Sequence, residues 1–208
     1  MAAHPKLRHR LREVTNEAIL EAAEEVFAEE GLHAAKMEAI AAKAGVAVGT
    51  LYNHFQDREH LLSHLIDARH VELIERLDQV LAELDGHPFT EQLHGFIAAL
   101  AGHLEAHQPF LSILLEGEAS RDRRAVAPRV RKPRSAMLKI YERVRILVER
   151  GIKARALRPT DADLYPTLLM GMFRGFMMRR LYNDGGREPP MTSRVERLTE
   201  FFLRGAGV

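Results

Sequence analysis

Apolar residues recur at three- and four-residue steps through most of the 208-residue chain, and no segment sustains the alternation of a half-buried strand. Ile19, Leu20, Ala22, Ala23, Val26 and Phe27 line one side of a helix that begins near Glu17, with Glu17, Glu21, Glu24, Glu25 and Glu29 opposite. Gly31 ends it, in the manner of a glycine just past a last turn. Met37, Ile40, Ala41 and Ala44 mark a shorter second helix that stops at Gly45, and a third piece covers about 47–53. From Arg58 onward, Leu61, Leu62, Leu65, Ile66, Leu73, Ile74, Leu77, Val80, Leu81 and Leu84 make one long helix, halted by Asp85-Gly86-His87-Pro88. Further helices are predicted over about 90–106, 108–118, 127–154, 161–183 and 192–204. The expected fold is all-α: an N-terminal three-helix unit over 1–57, followed by a larger helical bundle over 58–208.

Two short helices joined by a tight turn at Gly45 are the sequence form of a helix-turn-helix. Met37, Ile40, Ala41, Leu51 and Phe55 have the spacing to pack on Ile19, Ala23, Val26 and Phe27. Val48, Thr50, Tyr52, Asn53 and His54 are then left on the outer side of the third helix. Such a face suits a major groove: Thr and Asn offer hydrogen bonds to base edges, Val can touch a thymine methyl, and Tyr or His can hold phosphates.

The stretch AGVAVGTLYNHFQDREHLL, Ala44 to Leu62, together with ILEAAEEVFAEEGLHAAKMEAIAAKAGV before it, resembles the helix-turn-helix of the tetracycline-repressor (TetR) family of bacterial transcriptional regulators. The shared features are Phe27-x-x-x-Gly31, the Ile40-Ala41 pair and the Ala44-Gly45-Val46 turn. The resemblance implies a homodimeric regulator that binds double-stranded operator DNA, a repressor released by a small, largely apolar effector, with no catalytic residues. Carried over singly, it puts Tyr52 and His54 on phosphates and Val48, Gly49, Thr50 and Asn53 nearer base edges. Arg58 stands where the family usually has lysine, keeping a phosphate-binding charge but changing its geometry. The chain departs from the family at Ala35-Lys36, where a Ser or Thr cap is usual, so that a capping hydrogen bond is lost while Lys36 gains reach to a phosphate.

Composition narrows the alternatives. There is no cysteine, which excludes disulfides, thiolate metal sites and cysteine nucleophiles. No apolar run is long enough to span a bilayer or to act as a secretory core, so a cytoplasmic protein is the default expectation. The net charge of +1 conceals blocks: residues 61–120 hold ten acids against two bases, and 121–158 hold fourteen bases against three acids. Lys6, Arg8, Arg10 and Arg12 form a basic arm that either lies along the DNA or is a solvated tail. The sequence has no Gly-rich phosphate loop or nucleophile motif, so an enzyme is not expected, and no cofactor is. A helical protein-interaction module is the remaining rival.

A helix-turn-helix dimer must hold its recognition helices about 34 Å apart, so part of the bundle must pair. The segment DADLYPTLLMGMFRGFMMRRLYN is apolar on nearly all sides, which suggests two covered faces. Leu168, Gly171, Met172 and Gly175 form one stripe, assigned by the resemblance, with Leu198, Phe201 and Phe202, to the dimer interface. Tyr165, Leu169, Phe173 and Met177 form the other, which with Phe110, Leu111, Leu114, Met137, Leu138 and Tyr141 either lines an effector pocket or fills a core. Arg129 to Arg134 either hold an anionic ligand head or are a solvated helix end. His60, His64 and Asp67 share a helix face, and His103 and His107 repeat the four-residue spacing that lets two imidazoles reach one metal. Among eleven histidines such pairs arise by chance, and no metal is expected.

Overall fold

The computed structural model describes residues 5–110, 113, 133–182 and 189–207. Helices α1 (Pro5–Glu30), α2 (Met37–Lys43), α3 (Val48–His54), α4 (Arg58–Glu83), α5 (Phe89–Ala106), α6 (Pro133–Lys153), α7 (Tyr165–Tyr182) and α8 (Val195–Ala206) carry the fold. Short 3-10 turns at Pro159–Asp161 and Thr192–Arg194 lead towards α7 and α8. Among the described residues there is no strand, only an isolated bridge between Leu157 and Gly207. The fold is all-α, with an N-terminal helix cluster and a larger helical bundle. No helix among the described residues is long and apolar enough to cross a membrane.

Two differences from the sequence reading concern helix ends. α1 begins at Pro5 rather than near Glu17, so the basic segment read as an arm is helical. Proline is suited to a first helical turn, where its missing N–H has no intrahelical partner to lose. α7 and α8 begin a few residues later than periodicity suggested, because the preceding residues coil more tightly. The described part of α6 starts at Pro133, and residues 114–132, on which the segment Arg129 to Lys132 falls, lie outside the described residues.

The chain divides into two compact units, and the division falls within α4, between Ala68 and Arg69. In the first unit, Ile19, Ala23, Val26 and Phe27 of α1 pack with Ile40, Ala41, Leu51, Phe55, Leu61 and Leu65, all 3% exposed or less, and with Phe110 and Ile113. Lys43 fastens α2 to α1 from outside, its ammonium 2.7 Å from Glu25 and 2.9 Å from Glu29, and these carboxylates hold its pKa above the ordinary value.

In the second unit, Leu77, Phe96, Ile97, Leu100, Val144, Leu147, Leu169 and Phe173 form a continuous core. Tyr165 is buried in it, stacks edge-on against Phe202, and donates its hydroxyl hydrogen to the carbonyls of Arg158 and Ala206. Gly151 lets α6 come close: a Cβ there would lie 2.5 Å from Phe89 Cζ. Arg143 grips Asp78 through two nitrogens at 2.9 and 2.8 Å. Burial, reinforced by the neighbouring His107, lowers His103 to about 4, so that its imidazole is neutral near pH 7.

Candidate nucleic-acid interface

α2 and α3 are joined by a turn whose backbone bonds define its angle. Ala44 closes α2; the N–H of Gly45 donates to the carbonyl of Ala42 at 3.2 Å and that of Val46 to Ala41 at 3.0 Å. This paired bonding is a Schellman motif, which requires a left-handed residue, and Gly45 has φ +67°. A Cβ on Gly45 would meet nothing within 4 Å, so its role is conformational and not a matter of space. Ala47 then takes an extended conformation and α3 begins.

α3 has seven residues, of which Leu51 alone is buried. It is held by that leucine and, one residue past its end, by Phe55 at 1% exposure. Val48 (38% exposed), Gly49, Tyr52 (48%) and Asn53 face outward, while Thr50 and His54 are half-buried. Lys36, in the N-cap position of α2, is exposed and makes no side-chain cap bond. Burial holds the His54 imidazole below its ordinary pKa, and the guanidinium of Arg12 on α1 adds to this. Arg12, named in the sequence as part of the basic arm, is thus a basic neighbour of α3.

The start of α4 is tied down from three directions. Asp57 Oδ1 accepts the N–H of His60 at 2.7 Å, an N-cap that the sequence reading passed over although Asp before a helical run is its usual sign. His60 Nδ1 in turn accepts the N–H of Gln56, the residue before the cap, at 3.2 Å. Arg58 donates through Nη1 to the carbonyl of His33, in the turn between α1 and α2. His60 and His64 approach Nε2 to Nε2 at 3.1 Å and both lie edge-on to the Phe55 ring.

The residues proposed for the bundle separate by position. Tyr165, Leu169 and Phe173 are closed into the core of the second unit, and Phe110 belongs to the core of the first. Met137 and Leu138 are exposed, Tyr141 and Met177 are half-buried, and Leu111 and Leu114 lie outside the described residues. Of the interface set, Leu168 (54%), Gly171, Gly175 and Phe201 (73%) are exposed and Met172 is half-buried. Leu198 and Phe202, one turn apart on α8, face inward with Val195 and Ala206, while Phe201, about 100° round the helix from Phe202, faces out. Asp67 joins no three-ligand group; among the described residues that grouping is made by Glu72, His103 and His107.

A tight-turned helix pair whose second helix is anchored at one residue and open on its other side defines a helix-turn-helix DNA-binding protein. Residues 19–65, which span the later part of α1, α2, α3 and the start of α4, match the family model of bacterial regulatory proteins, tetR family. This match marks the chain as a DNA-binding regulator. The HTH-type transcriptional regulator YhgD of Bacillus subtilis is 27% identical over 155 residues, 74% of this chain and 78% of its own. The fatty acid metabolism regulator protein of Bacillus subtilis is 40% identical over 65 residues, 31% of this chain and 34% of its own. The structure of the transcriptional regulator FadR from Bacillus subtilis, in complex with stearoyl-CoA, shares the fold with a TM-score of 0.72 at 21% identity, covering 91% of this chain and 98% of that one.

Proposed function

We propose that this regulator is a homodimeric repressor, released from its operator by a small, largely apolar effector. The observation that carries the reading is α3, which presents Val48, Gly49, Tyr52 and Asn53 to solvent from a single buried anchor. In this reading Lys36, Tyr52, His54 and Arg58 meet phosphates, and Val48, Gly49, Thr50 and Asn53 read base edges. Residues 1–57 bind DNA, and 58–208 bind the effector and the second protomer.

Pairing is supported by the exposed Leu168, Gly171 and Gly175 of α7 and the exposed Phe201 of α8, apolar groups that a matching surface would cover. An acyl effector is supported by FadR, which holds stearoyl-CoA. The effector acts by population shift, favouring a dimer state whose recognition helices no longer match successive major grooves. α4 is the element with residues in both units.

The test is a mobility-shift titration with DNA flanking the protein's own gene, with and without a long-chain acyl-CoA. A shifted complex that weakens steeply with salt and dissolves on adding the acyl-CoA supports the reading. Failure to bind any flanking DNA favours a protein-interaction module; binding that the acyl-CoA leaves unchanged removes the acyl effector while keeping the regulator.

A further inference from the structure

The geometry points to a divalent transition-metal site in the second unit, built from Glu72 of α4 and His103 and His107 at the C-terminal end of α5. His103 lies in the last turn of α5 and His107 caps it, their rings 4.8 Å apart. Glu72 reaches across from α4, with His107 Nε2 3.2 Å from its carboxylate. One ligand atom from each of the three lies within 4.8 Å of the others. In a tetrahedral site with ligand bonds of about 2.1 Å, donor atoms stand roughly 3.4 Å apart. The His107 to Glu72 pair is already at that separation, and the half-exposed Glu72 side chain has room to close the remainder by rotation.

Three further features fit a cation. The carbonyls that end α5 put the negative end of an 18-residue helix at the site. Arg69 Nη1 lies 3.4 Å from Glu72 Oε2, where an outer hydrogen bond would orient a ligating carboxylate. The donor set is two imidazoles and one carboxylate, which suits Zn²⁺, Co²⁺ or Ni²⁺ and not the all-oxygen shells of Mg²⁺ or Ca²⁺. Three protein ligands leave a fourth position for water.

The other histidine pair makes the contrast. His60 Nδ1 is engaged by the N–H of Gln56, and no third ligand groups with His60 and His64 among the described residues. In the metal-free protein Glu72 has a second occupation, as the ion-pair partner of Arg69 and hydrogen-bond partner of His107. The two roles differ in a measurable way. The site does not rest on the effector reading and stands or falls separately from it.

The test uses the full-length protein without a histidine tag, stripped with chelator and titrated with Zn²⁺ by calorimetry, then loaded with Co²⁺ for visible absorption. One ion per chain is expected, with intense four-coordinate Co²⁺ bands and a rise in thermal midpoint. Glu72→Gln, at a half-exposed position, and His107→Gln, at a largely buried one, should each weaken the affinity by about 100-fold or more and abolish the thermal shift. His60→Gln should leave both unchanged. Retention of full affinity by Glu72→Gln and His107→Gln overturns the assignment, as does a wild-type Co²⁺ spectrum no different from the aqueous ion; the latter needs no variant to fold.

Discussion

α3 and α7 both carry an outward side that their own core does not use, and the chemistry of those sides is opposite. α3 shows a tyrosine, an asparagine and a valine around one glycine. α7 shows Leu168, Gly171 and Gly175, and on α8 Phe201 is 73% exposed. The α3 face is satisfied in water and can exchange its solvent hydrogen bonds for those of a base edge or phosphate. The α7 and α8 groups have nothing to exchange and gain only by being covered, about 1.5–3 kcal/mol for each large apolar side chain fully buried. Exposure alone therefore says little; what the exposed groups can do without water separates a reading surface from a pairing surface.

The contrast can be broken first at its base. Leu51→Ala removes the one buried residue of α3, and should cost about 3 kcal/mol of first-unit stability, seen in denaturant unfolding. Next, Leu168→Glu combined with Phe201→Glu should raise the dimer dissociation constant by about 100-fold or more without loss of helicity, measured by sedimentation. Persistence of the dimer would put the interface elsewhere. Tyr52→Ala should lower operator affinity by about tenfold, close to 1.4 kcal/mol, and leave the thermal midpoint unchanged, since the side chain is half-exposed. Asp57→Ala should cost about 1 kcal/mol by uncapping α4, seen as earlier unfolding.

The smallest effect is a pH dependence. His54 is held below its ordinary pKa by burial and by Arg12, so the free protein carries it neutral at pH 7. A phosphate alongside would raise that pKa, so that the complex binds more protons than the free protein, and operator affinity should rise as pH falls from 7.5 towards 6, by about twofold. His54→Gln should flatten the profile. A profile that stays the same in the variant would take His54 off the phosphate.

The first unit was largely legible in sequence because its signals are local. Gly31 and Gly45 punctuate the helices, both at positive φ, and Ile19, Ala23, Val26 and Phe27 point to one side only. The N-terminal part of α1 was not legible. Its apolar residues Leu7, Leu11 and Val14 recur at helical spacing, but all three are more than half exposed and no core faces them. Their interleaved arginines made the segment look like an arm.

α7 resisted for a different reason. With apolar residues on nearly every side, spacing could not tell that Tyr165, Leu169 and Phe173 point inward while Leu168 points outward. The grouping of Glu72 with His103 and His107 joins residues that are about thirty apart in sequence, and only the packing of α4 on α5 brings them together.

Seven residues are too few to hold a helix in water without help, since nucleation is unfavourable and only a few backbone bonds repay it. The order of α3 is therefore lent to it through Leu51 by residues that never meet DNA. Its amide hydrogens should exchange with solvent in step with those of α1 and α2, in one cooperative opening and not by fraying alone. Heat, denaturant or a distant core substitution would then erase operator recognition at the same point at which it loosens the first unit. For this protein, the temperature range of sequence recognition is set by a leucine that reads no sequence.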